Sequence, residues 1–251
     1  MIDRISSNPW LLGGAFLASG ALGAGLFAAA QAMAPGAGIG GDRAKIETVV
    51  RAYILEHPEI LPEAMQRLQV KEAAAQQKAS NDALKGHPEV VKPYAGAWGG
   101  NPNGDVTIVA FMDYNCGYCR ASLPTLAQVI AKDPGIRIVY REYPVLGEES
   151  TEAARWALAA ADQNKFKPFH DALYAGDNFD VAAGKAGLNI GTARAALQSP
   201  RVSGEIAANR KIGYDLRLGG TPGFVIGKSV YHGAMDYASF VRAIAAARAG
   251  K

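Results

Sequence analysis

The spacing of apolar positions changes several times along the chain, and each change marks an element. Between Ile5 and Gly41 no charged residue occurs, and residues 10–33 read WLLGGAFLASGALGAGLFAAAQAM. At about 1.5 Å per helical residue such a run is long enough to cross a ~30 Å hydrocarbon layer. A cleaved signal peptide would use Arg4 as its leading charge and Ala30-Gln31-Ala32 as the small-residue site. An uncleaved anchor would keep the helix, with Arg4 on the cytoplasmic side. Both readings stay open for residues 1–34, and both export the rest of the chain. Residues 35–44, which contain PGAGIGG, have the composition of a flexible linker.

Beyond the linker, Ile46, Val49, Val50, Tyr53 and Ile54 fall on one helical stripe. Pro58 and Pro62 are expected to interrupt it, and a second helix runs through Met65 and Leu68 into the polar KEAAAQQKASND. This extension, 45–89, is too small to bury much surface alone. The main domain, 90–251, opens with Val106–Met112, a continuous apolar run that suggests a strand buried on both faces. A helical pattern follows the cysteines, with Pro124 inside it, and residues 136–143 alternate as a second strand. From about 148 to 216 every segment has helical periodicity. Residues 219–223 form a Gly-rich turn, 224–227 and 229–232 a strand pair, and 237–248 a closing helix. The order implies an α/β sheet with a helical domain set into it.

Composition narrows the function. The 251 residues allow one large or two modest domains. With 49% hydrophobic and 20% charged residues, a buried core is possible and wholesale disorder is excluded. A net charge of +3, from 26 basic and 23 acidic side chains, gives no reason to expect nucleic acid as a partner.

Cys116 and Cys119 are the only two cysteines, so no disulfide framework staples the fold. Their C-x-x-C spacing lies where a buried strand gives way to a helix, with Asn115 as the expected N-cap. Unpaired N–H groups and the positive end of the helix dipole favour a thiolate at Cys116. Cys119, one turn deeper, can attack a mixed disulfide formed there. The roles follow: Cys116 is the exposed nucleophile and Cys119 the resolving thiol. Each unit of pKa depression is worth about 1.4 kcal/mol, or about 30 mV toward oxidising power. A structural zinc site would need two more ligands at short spacing, and His57, His87, His170 and His232 are scattered. A permanently closed disulfide is the other alternative. Redox exchange needs no cofactor and no metal.

These residues resemble a known family. Residues 111–119 (FMDYNCGYC), 140–147 (YREYPVLG) and 220–224 (GTPGF) look like the DsbA-like branch of the thioredoxin superfamily. The resemblance covers roughly 90–250 and implies a thioredoxin fold interrupted by a helical domain. It further implies that Pro222 is a cis-proline facing the dithiol. Gly220, Thr221 and Pro222 would then receive an extended substrate as a short added strand. An ordinary trans proline is the alternative. Thioredoxins carry a buried acid where this chain has Ala110. Asp113 and Glu142 are therefore candidates for proton transfer with Cys119, against the plainer reading of each as an exposed acid at a strand end.

The 45–85 segment resembles, more loosely, the N-terminal extension of suppressor-of-copper-sensitivity proteins, some of which form homo-oligomers through it. No Met- or His-rich cluster supports copper binding. Taken together, the expectation is a periplasmic or membrane-tethered thiol:disulfide oxidoreductase acting on cysteine-containing exported proteins. Its recycling partner would be a quinone-linked membrane oxidase, or a membrane reductase if it is an isomerase. A non-catalytic peptide-binding or chaperone module and a glutathione-using transferase are the alternatives from other classes.

Overall fold

The computed structural model describes residues 39–250, and the hydrophobic leader expected at 1–34 lies outside them. Among the described residues no helix is long and apolar enough to cross a membrane. The first compact unit runs to Val70 and the second begins at Lys71. In the first, helix α1 (Ile39–Glu56) is followed by the start of α2 (Ile60–Leu84). Helix α1 begins inside the segment expected to be linker. Pro62 does not break the second helix, because it occupies the first turn, where its missing N–H has no helical acceptor to lose.

The second unit is a mixed α/β structure. A five-stranded sheet has the order β1-β3-β2-β4-β5. Its strands are Trp98–Gly100, Val106–Met112, Ile136–Glu142, Gly223–Ile226 and Ser229–His232, numbered β1 to β5 in chain order. The central pair β2 and β3 is parallel, with Ala110 opposite Tyr140 and Met112 opposite Glu142. β1 pairs antiparallel with β3, β4 with β2 and β5 with β4. Helix α3 (Gly117–Lys132) connects β2 to β3. Five helices follow before β4: α4 (Glu148–Asp162), α5 (Phe166–Tyr174), α6 (Phe179–Ala186), α7 (Ile190–Ala196) and α8 (Pro200–Asp215). Helix α9 (Tyr237–Ala249) closes the chain.

Strand alternation sends β2 side chains into two cores. Ile108, Ala110 and Met112 share one core with Leu126 of α3, Phe240 of α9 and the helical insertion. Val109 and Phe111 share the other with Ile212 of α8 and Leu84 of α2. A strand covered on both faces must be apolar throughout, which is why β2 lacks alternation in its sequence. Helix α8 comes so close to the sheet that a Cβ on Gly213 would stand 2.6 Å from the Tyr143 ring. The last turns of α2 close the edge of β5: Gln77 Nε2 donates to the Val230 carbonyl at 2.6 Å, and the Val230 N–H donates to Asn81 Oδ1 at 2.8 Å. Side-chain amides thus occupy backbone groups that would otherwise template another strand.

Candidate active site

The dithiol sits at the C-terminal end of β2. Cys116, not Asn115, is the N-cap of α3, with extended backbone at φ −85° and ψ 116°. Asn115 instead donates from Nδ2 to Ser150 Oγ at 3.1 Å, which fastens the segment before the cysteines to α4. Both cysteines are free thiols. Cys119 is wholly buried, and Cys116 is less open than an exposed nucleophile, at 7% accessibility. Its cover is the turn before β4, where the Cys116 thiol donates to the Thr221 carbonyl at 3.2 Å.

The two sulfurs differ electrostatically. Burial alone would push the Cys116 thiol up. The Thr221 side chain, the Cys119 backbone and thiol and the Tyr118 N–H act in the other direction, and the thiol ends below its ordinary value. Those N–H groups belong to the first turn of α3, where no intrahelical acceptor exists for them. Cys119 is pushed up to about 12, chiefly by burial. One sulfur ionises more readily than an ordinary thiol and the other is held as a thiol.

The Thr221–Pro222 peptide bond is cis, and the Pro222 carbonyl accepts from the Gly233 N–H at 2.9 Å. This turn lies directly against Cys116, although 105 residues separate Thr221 from it in sequence. Gly220 is exposed at its start.

Asp113 and Glu142 are not exposed strand-end acids: they are 1% and 2% accessible. Helices packed over the strand ends exclude water from both. Asp113 Oδ1 accepts from the Asn115 N–H at 2.9 Å, and Oδ2 accepts from Val145 and Leu146 at 2.8 and 3.1 Å. Its carboxyl group thus pins the approach to Cys116 to the β3–α4 loop. Glu142 has a different neighbourhood. Burial raises its carboxyl well above the ordinary range, against a lowering hydrogen bond from Tyr114. The Tyr114 hydroxyl lies 3.2 Å from Glu142 Oε1 and 2.9 Å from His170 Nδ1. Tyr174 donates to the Asp113 carbonyl at 3.0 Å, and its ring lies 4.6 Å from that of Tyr114. Tyr114, His170 and Tyr174 carry no local pattern that marks them in the sequence. Beside the dithiol, an open cleft of about 440 Å³ is bounded by Asn115, Arg120, Glu149, Glu152 and Phe179.

Residues 107–245 match the DSBA-like thioredoxin domain model. The chain belongs to the DsbA-like thioredoxin domain family. Members of this family are thiol:disulfide oxidoreductases, and residues 42–75 also match the copper resistance protein ScsC N-terminal domain. Among solved structures, a thioredoxin-like oxidoreductase from Silicibacter pomeroyi is 37% identical, with a TM-score of 0.58, covering 61% of this chain and 91% of that one. The thiol-disulfide exchange protein alpha-DsbA2 from Wolbachia pipientis is 25% identical, with a TM-score of 0.62 over 68% and 97% of the two chains. Salmonella enterica Typhimurium BcfH, also 25% identical, gives a TM-score of 0.69 over 84% and 97%. A curated relative is the Na(+)/H(+) antiporter NhaA 3 of Salinispora tropica, 28% identical over 150 residues and 57% of this chain. The DsbA-like chain spans about a quarter of that protein's length, 23%.

Proposed function

We propose that this DsbA-like protein works outside the cytoplasm, exchanging a Cys116–Cys119 disulfide with cysteines of exported proteins. The observation that carries the reading is the split between the two sulfurs: a lowered thiol at the start of α3 and a buried one pushed up to about 12 behind it. A low-pKa sulfur is a good leaving group and a ready acceptor of attack, and a buried neighbour can resolve the mixed disulfide. Export is supported by the charge-free leader segment in the sequence. A substrate segment would lie extended along Thr221, so that its own cysteine reaches Cys116.

Cys119 cannot change its protonation through bulk water, since it is wholly buried. Asp113 is a poor proton partner, because both of its oxygens already accept backbone N–H groups. Glu142, whose carboxyl burial raises well above its ordinary range, is the better one. A quinone-linked membrane oxidase would reoxidise the pair, or a membrane reductase would keep it reduced.

Two cysteine variants test the assignment. Cys116→Ser is expected to abolish dithiol oxidation and insulin reduction, whereas Cys119→Ser accumulates covalent mixed disulfides with substrate on non-reducing gels. Full activity in Cys116→Ser would end the reading, and absence of turnover by the unaltered chain would leave a peptide-binding module. The second reading, an isomerase acting as an oligomer, is favoured by one observation. Val49, Tyr53, Leu61, Met65 and Leu68 on α1 and α2 are more than half exposed, and no other group of large apolar side chains of this size is open among the described residues.

A further inference from the structure

Strand β5 is the last strand of the sheet, paired with β4 on one side and met by the final turns of α2 on the other. Gln77, Ser80 and Asn81 are spaced three and four residues apart, so one face of α2 presents all three. Asn81 Oδ1 accepts from the Val230 N–H and also from Gln77 Nε2, at 2.9 Å, which locks the two amides together. Gln77 Nε2 in turn donates to the Val230 carbonyl, so both backbone groups of Val230 are occupied. The wholly buried Ser80 places its hydroxyl 3.3 Å from His232 Nε2. Val230 and His232 share one face of the strand, being two residues apart.

The far end of β5 leads to the dithiol. Its register sets His232 opposite Gly223, the residue after Pro222. One residue further, the Gly233 N–H donates to the Pro222 carbonyl at 2.9 Å. Among the described residues this is the one backbone-to-backbone bond made by residues 219–222. The adjoining Thr221 carbonyl accepts from the Cys116 thiol at 3.2 Å. An unbroken series of contacts thus runs from α2 through β5 and Gly233 to the turn that touches the nucleophile. β5 has only four residues and one strand partner, so without α2 it would be an edge strand free to fray.

We propose that Gln77, Ser80 and Asn81 are positioning residues for disulfide exchange: through β5 and Gly233 they fix residues 219–222, and with them the Thr221 backbone that receives an extended substrate beside Cys116. The inference rests on the exchange activity and the substrate path along Thr221 proposed above. Strand pairing depends on hydrogen bonds that weaken steeply as they bend. A turn that wanders has to be reordered each time a substrate binds, and that cost falls on KM rather than on the sulfur chemistry. None of the three side chains reaches the dithiol in these contacts, so they act on a substrate that carries a peptide backbone and not on a small thiol. A clamp that served only to shield the edge of β5 would leave this distinction absent.

The test uses the oxidised full chain and two attacking thiols: a cysteine-containing peptide, whose backbone can pair with Thr221, and dithiothreitol, which has no backbone. In the double variant Gln77→Ala with Asn81→Ala, kcat/KM for the peptide relative to that for dithiothreitol is expected to fall by about fivefold or more, the worth of roughly one net hydrogen bond. The fall should lie in the peptide KM. Ser80→Ala should shift the ratio in the same direction. Asn81→Asp keeps an oxygen that accepts from both Val230 and Gln77, and should leave the ratio within about twofold of the unaltered chain. Amide hydrogen exchange on the unaltered chain gives a second reading that needs no variant. Val230 and Gly233 are expected to share one opening event, with the same dependence on urea. An unchanged ratio in the double variant, or a Gly233 amide that exchanges independently of Val230, overturns the positioning role. Retained catalysis in Cys116→Ser overturns the exchange reading instead and leaves the amide-exchange result standing, so the two failures are separable.

Discussion

Glu142 and His170 respond to pH with opposite signs, although both are buried and share a hydrogen-bond partner. Burial lowers the histidine from 6.5 to about 3, so the unfolded chain binds a proton that the folded chain refuses. The stability this contributes is present above about pH 6.5 and is lost as pH falls toward 3. Glu142 is raised above its ordinary 4.5, so the folded chain holds a proton that the unfolded chain releases. That stability is present below pH 4.5 and is lost as pH rises toward the folded value. The two slopes oppose one another between these limits and each acts alone outside them. In Glu142→Gln, urea unfolding across pH is therefore expected to lose the decline that Glu142 contributes as pH rises above its ordinary range. An unchanged slope in that variant would show that Glu142 ionises as freely folded as unfolded. At this scale the cysteine pair was readable from local spacing, because four consecutive residues contain the whole motif. The burial of Asp113 and Glu142 was not readable. It is produced by helices that join the strand ends from as far as His170, 56 residues from Tyr114, and no window along the chain contains both.

Among elements, β3 departs most from its sequence pattern, and Arg141 shows why. Alternating polar positions in residues 136–143 suggest a strand with one wet face, yet Arg141 is only 5% accessible because α8 and the segment 89–92 close over it. Its guanidinium is saturated. Nε donates to the Val90 carbonyl at 3.2 Å, and Nη2 donates to the Glu89 and Lys92 carbonyls at 2.6 and 2.9 Å. Nη1 donates to Glu205 Oε1 at 3.0 Å and Asn209 Oδ1 at 2.9 Å. One side chain thus ties β3 to α8 and to the entry of the domain. Arg141→Ala would strand three backbone carbonyls, the buried Asn209 amide oxygen and a largely covered carboxylate, and is expected to cost about 3–5 kcal/mol in denaturant unfolding. Arg141 points away from the dithiol face, so exchange per folded molecule should not change. A cost below about 1 kcal/mol would mean that water replaces the guanidinium. β1 escaped the sequence reading for another reason. Three residues, two of them glycine, hold no periodicity, and only pairing with Val139, Ile138 and Arg137 makes them a strand. The helical insertion was legible in outline because Ala153, Ala154, Ala157, Ala160 and Ala161 keep one strict helical face, along which α4 buries itself.

For the whole molecule, the open question raised by the fold is what covers α1 and the first turns of α2. Val49 and Tyr53 are one helical turn apart on α1, as are Leu61, Met65 and Leu68 on α2, and all are exposed. Apolar surface of this extent is unfavourable in water by about 25 cal/mol per Å². We propose a second copy of the chain as the occupant, since every copy brings the same stripe and like stripes can pack as a coiled interface. The match of residues 42–75 to the ScsC N-terminal domain model falls on this same stretch. Light scattering on the full chain is expected to give a mass of at least two copies. Val49→Glu combined with Leu68→Glu should reduce it to one, with the Cys116 titration unaltered because neither residue lies near the dithiol in the chain. If the isomerase reading holds, refolding of a scrambled substrate should fall at least tenfold in that variant, while oxidation of a simple dithiol peptide keeps its rate. Isomerisation needs a second dithiol at high local concentration, and simple oxidation does not. A single-copy mass at tens of micromolar would remove the oligomer, leaving the oxidase to act alone.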